Sequence, residues 1–395
     1  MIPPWVPAEL DALEAAQARR RLRTVASPAG PRVRVDGREL RCFSSNDYLG
    51  LAADPRLAEA AARAARRWGT GAGASRLITG TLGIHEALEH ALARLKGTQT
   101  ALLFPSGYQA NLGVVTALGA EGAIFSDALN HASLVDGCRL ARATTRVFRH
   151  GDPAHLAAQL EAHGDVSRKL VVTDGVFSMD GDLAPLPELL DTAAAHGAAV
   201  VVDDAHATGV VGDGRGTTHH YGLPSGRVVH VGTLGKALGA VGAFVACAAP
   251  VRDLLVNRAR TLVYTTAPAP PAVGAALEAV RILEREPERV ARLAANSRRL
   301  RAGLRAVGFP VPEDPTPIVP LVLGDNRTTL AWAEALWRDG FWVHPIRPPT
   351  VPPGSGRLRI TVSSEHAPGD IDALVERLGE YAEKPRSREA RKLGA

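Results

Sequence analysis

Between about residue 54 and residue 280 the chain repeats one pattern: a short apolar run, a polar or glycine-bearing turn, then an alanine-rich helical stretch. The runs "ALLFPSG", "GAIFSD", "KLVVTDG", "AAVVVDDAH", "VVHVGTLGK" and "GAFVACA" are the clearest strands. Strands alternating with helices predict an α/β fold with a mostly parallel sheet, because each parallel crossover returns over a face of the sheet as a helix. The pattern also says where to look for chemistry. In open parallel sheets, ligands bind beyond the carboxyl ends of the strands.

The flanks read differently. "PAELDALEAAQARRRLRTV" predicts a helix with a basic end, entered near Pro7. "RVRVDGRELRCF" alternates polar and apolar residues around Asp36-Gly37, a two-residue hairpin signal. Past "APAPPAVGAALEAVRILEREPERV" the pattern turns long and helical, a hinge into a second domain. There "TPIVPLVLG", "FWVHPI" and "GRLRITV" predict strands around a helix "TTLAWAEALWRDG". At 395 residues the chain can bury two cores. The expected division is 1–45 (helix and hairpin), 46–283 (large domain), 284–385 (small α+β domain) and a charged tail, 386–395, that frays.

Composition narrows the ligand. A net charge of +5 suits either a phosphorylated ligand or simple solubility. No basic helix with interleaved aromatics appears, which argues against nucleic acid. Cys42, Cys138 and Cys247 have no CxxC spacing and fit a reducing compartment. No signal peptide is visible at the start, and the longest uncharged run, Ala237 to Val251, contains Pro250 and is too short to span a membrane. A cytoplasmic location is expected.

The predicted strand ends supply a short roster. After "ALLF" come Ser106, Gly107 and Tyr108, leading into a helix whose first amides suit a phosphate. "SDALNHAS" carries His131, "TDGVFSMDGD" carries Ser178, and "VDDAHATG" carries Asp203, Asp204 and His206. Adjacent strand residues face opposite sides, so only one of the two aspartates can meet a given ligand. "GTLGK" brings Thr233 and Lys236. Each taken alone is an ordinary turn residue. Together they offer an anion cradle, a carboxylate, imidazoles, a hydroxyl and a lysine at one sheet edge. That set matches the needs of pyridoxal phosphate: a lysine for the Schiff base, a helix start for the phosphate and a carboxylate for the ring nitrogen.

Rival motifs are weaker. "GTGAG" at 69–73 lacks the full dinucleotide register, "GTLGK" is too short for a phosphate-binding P-loop, and His219-His220 has no third ligand at helical spacing.

"FSSNDYLGL", "GTGAGASRLITGT", "HASLVDG", "TDGVFSMDGDLAPL", "VDDAHATGVVGDGRG" and "GTLGKALGAVGAF" together resemble the α-oxoamine synthases, over roughly residues 10–385 and in family order. The resemblance implies a fold-type-I pyridoxal-phosphate transferase, aspartate aminotransferase-like, with a mostly parallel seven-stranded sheet and a homodimer whose active sites lie at the interface. It also implies the decarboxylative condensation of an amino acid with an acyl thioester. "IRPPTVPPGSGRLRITVSSEH", residues 346–366, is similar to the branch that joins L-alanine to pimeloyl-CoA or a pimeloyl-carrier protein in biotin biosynthesis. Glycine C-acetyltransferase chemistry is the near alternative; an aminotransferase or a non-catalytic binding protein is a distant one.

The same resemblance implies roles residue by residue. Lys236 binds the cofactor and shuttles the α-proton, Asp203 meets the ring nitrogen, and His206 and Ser178 lie near the ring hydroxyl. His131 stacks on the ring and supports the carbonyl oxygen, while Gly107, Tyr108 and Thr233 surround the phosphate. Thr265 or Thr266 reaches the phosphate of the neighbouring subunit. Arg359, with Asn46 nearby, grips the amino-acid carboxylate, a role that favours bidentate arginine. Arg20, or Arg19 or Arg21 beside it, meets the acyl substrate with Thr350. Asp174 stands where many relatives carry glutamate, and Ala207 where many carry glycine.

Overall fold

A computed structural model describes residues 3–16 and 18–392. Its central sheet is built from β3 (Thr100–Phe104), β4 (Ala123–Asp127), β5 (Thr144–Phe148), β6 (Lys169–Asp174), β7 (Ala199–Asp203), β8 (Val229–Thr233) and β9 (Ala243–Cys247). These seven strands lie in the order β3-β9-β8-β7-β6-β4-β5. Only β9 runs against its neighbours β3 and β8. The other six therefore end at one edge, and Phe104, Asp127, Phe148, Asp174, Asp203 and Thr233 are their last residues.

The sheet is buried on both faces, as its near-continuous apolar strands predict. Alternation sorts each strand between two cores: Val201 packs with Phe104, Ile124 and Val245, whereas Val200 and Val202 pack with Phe125 and Leu156. Helix starts are specified locally. Ser106, Asp152 and Asp54 each accept a bond from a first-turn amide, and Pro153 and Pro55 open their helices where a missing N–H costs nothing. Among the described residues no helix is long and apolar enough to cross a membrane.

β5, which no apolar run in the sequence announces, is one of the two edge strands. Its "TTRVF" is mostly exposed. The N-terminal helix is shorter than expected, Trp5–Ala15, and the arginine-rich stretch after it has no regular secondary structure. "FWVHPI" is not one strand but two. Phe341–Trp342 (β11) joins the hairpin β1 (Arg32–Val35) and β2 (Arg38–Cys42), and His344–Ile346 (β12) joins β10 (Ile318–Gly324) and β13 (Gly356–Thr361). The hairpin turn has Asp36 and Gly37 at φ 51° and 76°, the left-handed pair that the dipeptide announces. The charged C-terminal stretch continues a helix, Pro368–Lys392, rather than fraying throughout; its last three residues lie outside the described residues.

Candidate active site

The carboxyl edge of the sheet opens into a cavity of about 210 Å³ lined by Gly107, Tyr108, His131, Asp203, His206, Thr233 and Lys236, with Asn111, Ser133, Asp174, Val176 and Ala205. Three strand ends, Asp174, Asp203 and Thr233, and two helix starts contribute. Helix Gly107–Gly119 begins directly after β3, and its first amides have no intrahelical acceptor. Helix Ala132–Leu140 begins at His131, which caps it while its Nδ1 sits 2.7 Å from Ser133 Oγ.

The adjacent aspartates part company. Asp203 Oδ2 accepts from Asn111 Nδ2 at 2.6 Å, and Oδ1 accepts from the Ala205 amide at 2.9 Å. Asn111 also donates to Ser133 Oγ, so its amide orientation is determined by two acceptors. Asp204 turns away from the cavity. Lys96 Nζ and Thr217 Oγ1 each donate to it at 2.6 Å, all fully buried. Burial opposes its charge, but Lys96 and His230 outweigh that and hold its carboxyl well below the usual range.

Lys236 follows β8. Burial lowers its amine to about 8, against the pull of Asp203 and Asp174. His206 is pushed well below its usual range by burial, then by the Lys236 and Arg359 charges, so it is neutral. Its Nε2 lies 2.9 Å from Lys236 Nζ and its Nδ1 2.7 Å from the Tyr48 hydroxyl. A neutral ring accepting at Nε2 donates from Nδ1, which leaves Tyr48 to donate to Asn46 Oδ1 at 3.0 Å. Arg359 Nη1 donates to that same oxygen at 3.2 Å, and its Nε donates to the Ser178 carbonyl at 2.5 Å. A hydrogen-bonded chain thus links the lysine to the arginine.

Asp174 and His131 complete the electrostatics. Burial and then Asp203 raise Asp174 well above the carboxylate range, and its Oδ1 is buried with no partner among the described residues. Burial lowers His131.

The other expected residues are distributed around this centre. Ser178 does not line the cavity; it reaches the site through its carbonyl and Arg359. Thr265 and Thr266 also lie off the lining, Thr266 bridging Ser75, next to Tyr264, which is 73% exposed. Arg20 Nη2 donates to Thr350 Oγ1 at 3.0 Å across 330 positions of sequence, while Arg19 and Arg21 pair with Glu14. Arg19, Arg20 and Arg21 line an open groove with Leu10, Leu13 and Pro349. Tyr48, Asn111 and Ser133 were missed. Tyr48 stands in "NDYLGL" and Asn111 one helical turn past Gly107, but only the fold aims them at His206 and Asp203.

The residues present fit pyridoxal phosphate. The cavity joins a buried amine, lowered by burial to about 8, to a carboxylate with two donors, beside a helix start free of bulk: a Cβ on Gly107 would meet only Thr233 Cβ, at 3.9 Å.

Comparison with known proteins agrees. Residues 40–378 match the model for aminotransferase class I and II. An 8-amino-7-oxononanoate synthase of Anaeromyxobacter sp. (strain Fw109-5) is 54% identical over 96% of this chain and 96% of that protein. A serine palmitoyltransferase from S. paucimobilis, solved with PLP and myriocin bound, superposes with a TM-score of 0.89 at 32% identity, covering 95% and 96% of the two chains. An 8-amino-7-oxononanoate synthase from Francisella tularensis gives 0.76 at 26% identity over 88% and 99%. The chain belongs to the pyridoxal-phosphate-dependent aminotransferase class I and II family, among its 8-amino-7-oxononanoate synthases.

Proposed function

We propose that the protein condenses L-alanine with a pimeloyl thioester, giving 8-amino-7-oxononanoate, carbon dioxide and the free thiol. The substrate pair follows its relatives, about half identical over nearly the whole chain. The observation in this chain that carries the reading is the continuous link Lys236–His206–Tyr48–Asn46–Arg359. It joins a proton-transfer group to a carboxylate clamp, the two functions an α-amino acid must meet at once.

Bound at Lys236, pyridoxal phosphate supplies an electron sink for the negative charge that develops at the substrate's α-carbon. Gly107, Tyr108 and Thr233 would hold its phosphate, Asp203 its ring nitrogen, and His131 and His206 its ring. The chain's own residues do the rest. Arg359, its guanidinium oriented by Asn46 and the Ser178 carbonyl, takes the alanine carboxylate. Lys236, with its amine near 8, accepts the α-proton at working pH without needing a strong base. The α-carbon then bonds to the thioester carbonyl carbon as the thiolate leaves, the alanine carboxylate departs as carbon dioxide, and a proton returns to the α-carbon. His131 supports the thioester oxygen while charge builds on it. Arg20, in the groove outside, and Thr350, to which it donates, receive the acyl chain.

The reading includes a homodimer with the active site at its interface. Thr265 and Thr266 lie off their own cavity, and Tyr264, Ile78 and Val241 leave 73%, 75% and 68% of their surfaces exposed in the single chain. A second subunit is what such a surface would meet. It also includes division into a large domain, 46–283, and a small one, 284–385, supported by their separate sheets. The cysteines are buried free thiols, which suits the cytoplasm.

Thiol release with L-alanine plus pimeloyl-CoA, against glycine plus acetyl-CoA, tests the reading. Faster turnover of the first pair, with an 8-amino-7-oxononanoate product by mass, is expected. Preference for the second pair would assign the protein to the glycine branch, and amino transfer without carbon dioxide would overturn the reading altogether. Arg20→Ala should raise KM for the pimeloyl thioester and leave that for alanine unchanged.

A further inference from the structure

His150 takes no part in the chemistry above, yet it holds two carboxylates at the same sheet edge. Its Nδ1 lies 2.9 Å from Asp127 Oδ1 and its Nε2 2.8 Å from Asp182 Oδ2, while the ring meets Phe177 edge-on at 4.4 Å. Burial disfavours its charge, but the hydrogen bonds to Asp127 and Asp182 outweigh that and push the imidazole up to about 10. Both nitrogens are therefore donors at any ordinary working pH.

The two carboxylates belong to different loops of the site. Asp127 ends β4, and its oxygens also accept from the Leu129 and Gly151 amides, fixing the turn that delivers His131. Asp182 closes the turn that carries Ser178, where the Phe177 amide donates to the Asp182 carbonyl at 3.0 Å. Ser178 in turn accepts from Arg359. Asp182 depends on His150 more than Asp127 does. Its Oδ1 is buried without a partner, so His150 is the one hydrogen-bond partner of that carboxylate among the described residues.

We propose that His150 is a positioning residue for the reaction: it ties the loop that carries His131 to the loop that carries Ser178, and through Ser178 it sets the Arg359 clamp. Residues 127–131 and 177–182 meet across this one imidazole, which gives a side chain with no substrate contact control over two substrate-facing groups. A displacement of about 1 Å at such a group can cost about 100-fold in rate. The inference rests on the assignment of Arg359 to the amino-acid carboxylate.

Replacement by amides separates the two tethers, since asparagine reproduces the position of Nδ1 and glutamine that of Nε2. In the holoenzyme, L-alanine binding is read from the cofactor's visible absorbance, which needs no acyl substrate, alongside kcat and KM. His150→Asn, which keeps Asp127 and releases Asp182, should weaken alanine binding about tenfold or more with a smaller effect on kcat. Asp182→Ala should do the same, and the double variant should be no worse than either single, because all three remove one link. His150→Gln should instead lower kcat and the circular dichroism of the cofactor band, through His131. Melting temperatures lowered with alanine binding and kcat intact would overturn the proposal, as would additive single effects. If the wild type binds alanine but does not use pimeloyl-CoA, the substrate reading fails and the tether test still stands.

Discussion

Asp174 and Asp203 are register partners at the carboxyl ends of neighbouring parallel strands, yet they are provided for unequally. Asp203 accepts from Asn111 and the Ala205 amide; Asp174 keeps a buried oxygen with no partner among the described residues and is held toward its neutral form by burial and by Asp203. Two carboxylates this close do not both ionise readily. The asymmetry supports Asp203, rather than Asp174, as the carboxylate proposed to meet the cofactor.

Asp174→Asn should therefore reduce kcat/KM by less than about tenfold, whereas Asp203→Asn should reduce it by about 100-fold or more. Stability distinguishes them as well. With the folded pKa of Asp174 raised, the native state keeps a proton that the unfolded chain releases, so this group's contribution to stability falls as pH rises above the ordinary value of 3.8. Thermal melts from pH 4 to 8 should show Asp174→Asn gaining on the wild type as pH rises. A constant gap, or one that closes, would contradict the assignment.

Lys236 is a nucleophile only when neutral, so its reactivity must rise with pH through its own pKa. Burial moves that rise down to about 8 from the ordinary lysine range above 10. Competitive acetylation of the cofactor-free protein, mapped by mass spectrometry, should show Lys236 half-labelled near pH 8. A midpoint at about 10, in the ordinary lysine range, would remove the basis for Lys236 as the proton acceptor.

Lys96 and Asp204 form an ion pair with both side chains fully buried, on the side of the strand away from the cofactor. Deleting one partner strands the other. Lys96→Met is expected to cost about 3–5 kcal/mol in denaturant unfolding. Lys96→Met paired with Asp204→Asn should recover part of that loss, because the uncompensated carboxylate is gone.

The glycines around Lys236 differ in what they are for. Gly239 has φ of +61°, and a Cβ there would stand 2.5 Å from the Ala52 nitrogen and the Leu51 carbonyl carbon. Gly235 has ordinary backbone angles and room, its nearest atom being 3.5 Å from such a Cβ. Gly235→Ala should change stability by less than about 0.5 kcal/mol, and Gly239→Ala should destabilise by about 1–3 kcal/mol or more. Equal effects in chemical denaturation would show that the close approach at Gly239 relaxes.

Much of the site was legible because it sits at strand ends. Lys236, Asp203, His131, His206, Gly107, Tyr108 and Thr233 all follow apolar runs that the eye can find, and all line one cavity. Tyr48 and Asn111 were not legible, since a tyrosine in a loop and an asparagine in a helix mean nothing until something is placed against them. The N-terminal arginines show the same limit. Three in a row are equivalent in sequence, and a hydrogen bond to Thr350 singles out Arg20.

By itself the sequence determined the parallel sheet, the edge where its strands end and the chemical inventory delivered there, because strand periodicity and turn residues are local and short-ranged. Tertiary structure alone decided how the inventory is wired: that Asp204 turns to Lys96 while Asp203 turns to Asn111, that His206 joins Lys236 to Tyr48, and that His150 spans Asp127 and Asp182. These links cross from 23 to 158 positions of sequence. No local pattern encodes such pairings. They follow from which buried polar groups the packed strands and helices leave facing one another, and from the cost of leaving any of them without a partner.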